Sequence, residues 1–150
     1  MLNRLFTSLM LEQPARKLTM SAWGEKLAAS GKAISLKLEK CRESQQNRQH
    51  LSHIIGVEQW GQSRLRVGLG EPFKEDSLDA YLPSQNRSWE QLKIEFRIAR
   101  RKTVALAEEL DNKQVDQFLQ VKHNQYGDIT LGAWLRYLDF YGKRESKKIA

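Results

Sequence analysis

GEPFKEDSLDAYLPSQNR, residues 70–87, decides how the rest of the chain is arranged. It carries Pro72 and Pro83, several Asp, Ser and Asn residues, and no long hydrophobic period, so it reads as a connection rather than an element. At about 18 residues it exceeds the usual helix–helix loop. Extended chain covers roughly 3.3 Å per residue, enough to travel the whole length of a helix bundle. The helices on either side are therefore expected to run parallel, joined by a long crossover.

Helical periodicity flanks this stretch on both sides. Upstream, residues 48–68 place Leu51, Ile54, Ile55, Glu58, Leu65 and Leu69 on one side. His50, His53, Val57, Trp60 and Arg64 form a neighbouring strip, and Gly68, Gly70 and Pro72 stop the helix. Downstream, residues 88–110 carry an apolar stripe of Trp89, Leu92, Phe96, Ala99, Thr103, Leu106 and Leu110. Ser88 with Gln91 three residues later forms a capping box at its start.

Two further helices are predicted. Residues 20–44 repeat Leu27, Ile34, Leu38 and Cys41, with Gly31 on the same stripe as a point of close helix contact. Residues 130–149 start at Thr130 as N-cap and align Leu131, Trp134, Leu138 and Tyr141, with Glu145 next on that face. Residues 112–128 read as a second connection. Residues 2–11, with Leu2, Leu5, Phe6, Leu9 and Met10 at helical spacing, read as a short helix or docking arm limited by Pro14. The expected fold class is all-α, a four-helix bundle with a long crossover between helices 2 and 3. It forms one domain over residues 1–150, with residues 1–19 as an N-terminal arm.

Composition fits this and excludes other classes. The 150 residues hold 40% hydrophobic and 29% charged side chains with only 9 Gly and 3 Pro, a balance of helices rather than of β-turns or disorder. Cys41 is the single cysteine, so neither an intramolecular disulfide nor a multi-cysteine zinc site can form; its place on an apolar stripe reads as core. No run approaches the roughly 20 apolar residues of a membrane span. The opening MLNRLFTSLML is interrupted by Arg4 and Thr7–Ser8 and is followed by no small-residue cleavage site. A cytoplasmic chain with no membrane association is expected.

The net charge is +7. The basic runs Arg97, Arg100, Arg101, Lys102 and Lys143, Arg144, Lys147, Lys148 fall on predicted helices and read as solvated faces. Helix-turn-helix spacing and aromatic-interleaved basic patches are missing, so nucleic acid is not an expected partner. The sequence also lacks GxSxG, P-loop, GxGxxG and HExxH motifs.

The histidines are His50, His53 and His123. His50 and His53 lie within one helical turn, and imidazoles on facing helices of a bundle suit zinc, nickel or iron. A bracing role next to the fourth helix is the reading for His123.

Two segments resemble the DinB-like family. LSHIIGVEQWGQSRLRVGLGEPF, residues 51–73, is similar to its second-helix signature through His53 and Val57-Glu58-Trp60. HNQYGDITLGAWLRYLDFYGKRESKKI, residues 123–149, is similar to its C-terminal signature through His123, Ile129-Thr130, Trp134-Leu135 and Ile149. Together they cover about a third of the chain.

The resemblance implies a metal site made of one histidine on the second helix and two histidines four residues apart on the fourth. His53 stands at the first place, and Tyr141 and Glu145 at the other two, so the tentative metal set is His53, Glu145 and Tyr141, a degenerate version of the family site. A phenol with a pKa of about 10 is a poor ligand at neutral pH, and His53 with Glu145 falls short of the three protein ligands typical of catalytic zinc. Two functions follow from the resemblance. The first is a metal-free or weakly metal-binding module for a small ligand or an interaction partner, without cofactor, with Trp60, Trp134 and Tyr137 as aromatic walls. The alternative is a thiol transferase or hydrolase dependent on a divalent metal, zinc or nickel. Whether the chain is an enzyme stays open, and a small-molecule ligand and a second copy of the chain are the candidate partners.

Overall fold

The computed structural model describes residues 2–150, the side chains of Leu2 and Asn3 excepted; Met1 and the Leu2 side chain of the predicted arm lie outside that description. The chain is mostly helical with one small hairpin. It opens with α1 (Leu2–Phe6), a π-helical stretch (Thr7–Glu12) and α2 (Gln13–Arg16). Pro14 does not end this arm, contrary to the sequence expectation. It sits in the first turn of α2, where a missing N–H costs least, and the wider π turn precedes it. The arm is docked. Leu11 and Ala15 are buried, Glu12 accepts from Thr130 N and Oγ1 at 3.0 and 2.6 Å, and Arg136 Nε donates to Met10 O. Leu5 and Leu9 stay exposed.

Four long helices follow: α3 (Met20–Lys40), α4 (Gln45–Leu65), α5 (Trp89–Asn112) and α6 (Leu131–Ser146). Each begins at a hydroxyl N-cap, Thr19, Ser44, Ser88 and Thr130, whose side chain accepts a backbone N–H three residues on. At Ser88 the capping box with Gln91 is complete. A 3₁₀ turn (Arg66–Leu69) extends α4 and ends at Gly70, whose φ of 97° demands glycine. Cys41 stands just past α3, half-buried.

The main packing pairs are α3 with α5 and α6, and α4 with α5 and α6. Cross-helix contacts give the directions. Glu58 meets Arg100 and Gln62 meets Thr103, so α4 and α5 run the same way. His50 meets Glu145 and Gly61 meets Leu138, so α4 and α6 oppose. Ser30 bonds Asp139 and Lys37 bonds Ser146, so α3 and α6 run together. Residues 70–87 return the chain along α4, and a 3₁₀ turn (Leu78–Tyr81) packs on that helix. Among the described residues no helix is long and apolar enough to cross a membrane.

Residues 112–128, expected as plain connection, contain β1 (Gln120–His123), paired antiparallel with β2 (Gly127–Thr130). Gly127 at φ 74° turns the hairpin. The alternation points Val121 and His123 inward.

Two apolar clusters fill the interior. One joins Trp23, Leu27, Trp60, Leu110, Trp134 and Leu138 to the arm and hairpin. The other gathers Ile34, Leu38, Leu51, Ile55, Phe96 and Ile149 at the opposite end. Between them each long helix contributes a buried polar residue to one connected group: Ser30, Glu58, Arg100 and Asp139. Arg100 Nε and Nη2 bond both Glu58 oxygens at 2.9 and 3.2 Å, and Nη1 donates to Leu27 O and Ser30 Oγ. Ser30 donates to Asp139 Oδ1 at 2.7 Å. This corrects the reading of Arg100 as part of a solvated face. It is 3% exposed, and its buried charge is tolerated because the Glu58 carboxylate and two further oxygens, Leu27 O and Ser30 Oγ, surround it.

Candidate functional site

The place pointed to by the resemblance lies on the α4–α6 seam. Four residues apart on α6, Tyr141 and Glu145 share one face. Glu145 is buried, with Oε1 at 3.1 Å from Lys148 Nζ and 3.7 Å from His50 Nδ1. Burial first, and then the Glu145 carboxylate, push the Tyr141 phenol up to about 12, so it remains protonated at any physiological pH.

The imidazole that reaches Glu145 belongs to His50. His53, expected there, is exposed and lines a groove against Leu82, Pro83, Ser84 and Gln85 of the linker. Among the described residues its side chain makes no hydrogen bond or ion pair. The reason is helical phase. Each residue advances about 100° around a helix, and His50 and Gly61 of α4 carry contacts to α6, with Asn47 on the same line meeting Ala150 just past its end. Three residues after His50, His53 has swung off that line toward Gln49 and Ser52.

His53, Tyr141 and Glu145 therefore do not converge, and no three His, Cys, Asp or Glu side chains among the described residues come together to hold a metal ion. His50 and Glu145 supply two ligand atoms, one already shared with an ammonium, and the phenol beside them keeps its proton. This donor set does not fit a catalytic divalent metal.

The aromatic walls expected around a ligand enclose His123 instead. Its ring lies 4.9 Å from Trp60, 4.9 Å from Trp134, 4.6 Å from Tyr126 and 4.5 Å from Tyr137, between centroids. Nδ1 accepts the backbone N–H groups of Gln125 and Tyr126 at 3.0 and 3.3 Å, so a neutral ring carries its hydrogen on Nε2. Burial, aided by the Arg64 charge, depresses its pKa to about 3. His123 braces the hairpin against α6 as the sequence suggested, but from inside the core. His123 Nε2, Trp60 Nε1 and Arg64 Nε are buried without a hydrogen-bond partner among the described residues.

Arg64 also holds the linker. Its guanidinium donates to Asp76 Oδ1 at 2.6 Å and Asp76 O at 3.1 Å, and Tyr81 donates to Asp76 Oδ2 at 2.7 Å. Partial burial raises the Asp76 carboxyl, but the Tyr81 and Arg64 hydrogen bonds and the Arg64 charge together hold it below the ordinary range. Asn124 of the hairpin donates to Asp76 O, so linker, hairpin and α4 are tied at one point.

The sequence signal for His50 was its place one turn before His53 on the same strip. The signal for Arg100 was its position among apolar residues, four after Phe96 and one after Ala99 on the α5 stripe. No family model matches the chain, and it matches no curated protein and no solved structure.

Proposed function

We propose that the chain is a DinB-like four-helix bundle, with residues 70–87 as its crossover, that works as a metal-free small-ligand-binding module. The common direction of α4 and α5 supports the bundle, as does the position of the two resemblance segments on α4 and on the hairpin with α6. The observation that carries the metal-free reading is the commitment of Glu145. Its Oε1 lies between Lys148 Nζ at 3.1 Å and His50 Nδ1 at 3.7 Å. A carboxylate neutralised by a neighbouring ammonium would have to exchange that partner for a metal, with only one imidazole to help. The pair and the Tyr141 phenol make a polar cluster in which each charged group has a partner.

Elemental analysis of protein purified without a chelating tag, repeated after incubation with zinc and with nickel, tests this reading. The expected outcome is no stoichiometric metal and an unchanged melting temperature. About one retained metal per chain, lost in His50→Ala, would overturn it in favour of a metal-dependent thiol transferase or hydrolase.

A further inference from the structure

On the outer face between α3 and α5 lies a groove of about 370 Å³. Its floor is apolar: Ala28, Gly31, Val104 and the aliphatic stem of Arg100. Gly31 makes this floor possible, since a Cβ there would sit 2.6 Å from Arg100 Cγ. Its rim carries Lys32, Arg97 and Arg101, all exposed, and no carboxylate among the described residues lines it. Among the described residues these three cations make no hydrogen bond or ion pair. The Arg100 charge is already taken up by Glu58.

This arrangement differs from an ordinary solvated face. Arg97 and Arg101 are four residues apart on one helix, where like charges repel by a few tenths of a kcal/mol. Lys32 faces them across an apolar strip. On the same helix as the two arginines, Lys93 is by contrast offset by Glu39 and Glu90. Guanidinium groups grip carboxylate, sulfonate or phosphate oxygens in pairs, and an apolar cleft of this size with a few polar groups at its edge is the usual form of a small-molecule site.

We infer that the α3–α5 groove binds a small organic acid, its apolar body on Ala28, Gly31 and Val104 and its anionic group held by Arg97, Arg101 and Lys32. This names a ligand class for the binding-module reading and rests on it. A metal in the α4–α6 seam would overturn that reading without affecting the titration described next, so the two failures are distinguishable.

The test is a titration of the ¹⁵N-labelled full chain with naphthalene-2-sulfonate, followed by amide shifts. Its neutral analogue 2-naphthalenemethanol, inorganic sulfate and a short DNA duplex are titrated alongside. Saturable shifts confined to residues 28–35 and 97–104 are expected, with affinity at least tenfold below this for the neutral analogue and for sulfate. R97Q/R101Q removes only exposed, unpartnered charges and should weaken binding at least tenfold with an unchanged melting temperature. Ala28→Trp, at an exposed helical position, should block the floor. Absence of saturable binding, equal binding of the neutral analogue, equal binding of sulfate, or tighter binding of the duplex would each overturn the proposal. So would full affinity in both variants.

Discussion

Arg100 and Glu58 form a two-point ion pair inside the protein, Nε to Oε2 at 2.9 Å and Nη2 to Oε1 at 3.2 Å, with side chains only 4% and 2% exposed. The pair separates two apolar clusters and binds α5 to α4, while Ser30 and Asp139 extend the polar layer to α3 and α6. Such a layer fixes how the helices slide along one another, because a shift by one turn would strand every member without its partner.

Breaking the pair on one side should therefore be severe. Arg100→Leu leaves the Glu58 carboxylate buried and alone, and a loss of about 3–5 kcal/mol is expected from urea unfolding. Glu58→Leu with Arg100→Leu removes both charges and should recover a large part of that loss. If the double variant is as unstable as the single one, the pair is not the source of the effect.

The helices were legible in the sequence because each carries long apolar periodicity, and the Ser88–Gln91 box and Thr130 stand where the pattern puts them; the Ser44 cap was not, since the predicted first helix ran through it to residue 44 where α3 stops at Lys40. The direction of α5 was readable from the length of residues 70–87. The hairpin was not, since four-residue strands with two buried side chains each give too little period to separate from loop. Arg100 was hidden because its basic neighbours Arg97, Arg101 and Lys102 do lie at the surface. The choice between His50 and His53 depended on the rotation of α4 against α6, which adjacent positions on one strip do not resolve.

Close approach at Gly61 makes a second prediction. A Cβ there would lie 2.7 and 2.8 Å from the methyls of Leu138, itself buried. Gly61→Ala should destabilise by about 1–3 kcal/mol through overpacking, against the gain of up to about 1 kcal/mol that alanine brings to a helix. Gly132 is the control. Its nearest neighbour would be 3.6 Å away, so Gly132→Ala should be neutral or stabilising in the same thermal or urea melts.

His123 gives the fold a dependence on pH. Its folded pKa of about 3 lies below the ordinary 6.5, so the unfolded chain binds a proton at higher pH than the folded one. The stability from the neutral, enclosed ring is fully present above about pH 6.5 and is lost as pH falls toward about 3. The slope from this group approaches about 1.4 kcal/mol per pH unit between these limits. Nitrogen shifts of the imidazole should show the neutral Nε2–H form at pH 5. A ring that titrates near 6.5 in the folded protein would contradict this.

Asp76 fastens the linker. Arg64 is 1% exposed, and Asp76 is its carboxylate partner, with Tyr81 on the other oxygen. Asp76→Ala should cost about 3–5 kcal/mol, because the guanidinium stays buried without its counter-charge. Tyr81→Phe removes a single hydrogen bond and should cost about 0.5–1.5 kcal/mol. The two variants also differ in where they act. Asp76→Ala keeps the backbone carbonyl that accepts from Arg64 and Asn124 but removes the carboxylate that holds both the Arg64 guanidinium and the Tyr81 hydroxyl. Loss of the carboxylate should raise amide exchange across residues 70–87 and, through the Asp76 carbonyl, in the hairpin, whereas Tyr81→Phe should loosen only the 3₁₀ turn. Equal, whole-molecule increases in both variants would mean that the linker carries no local fastening and unfolds only with the helices.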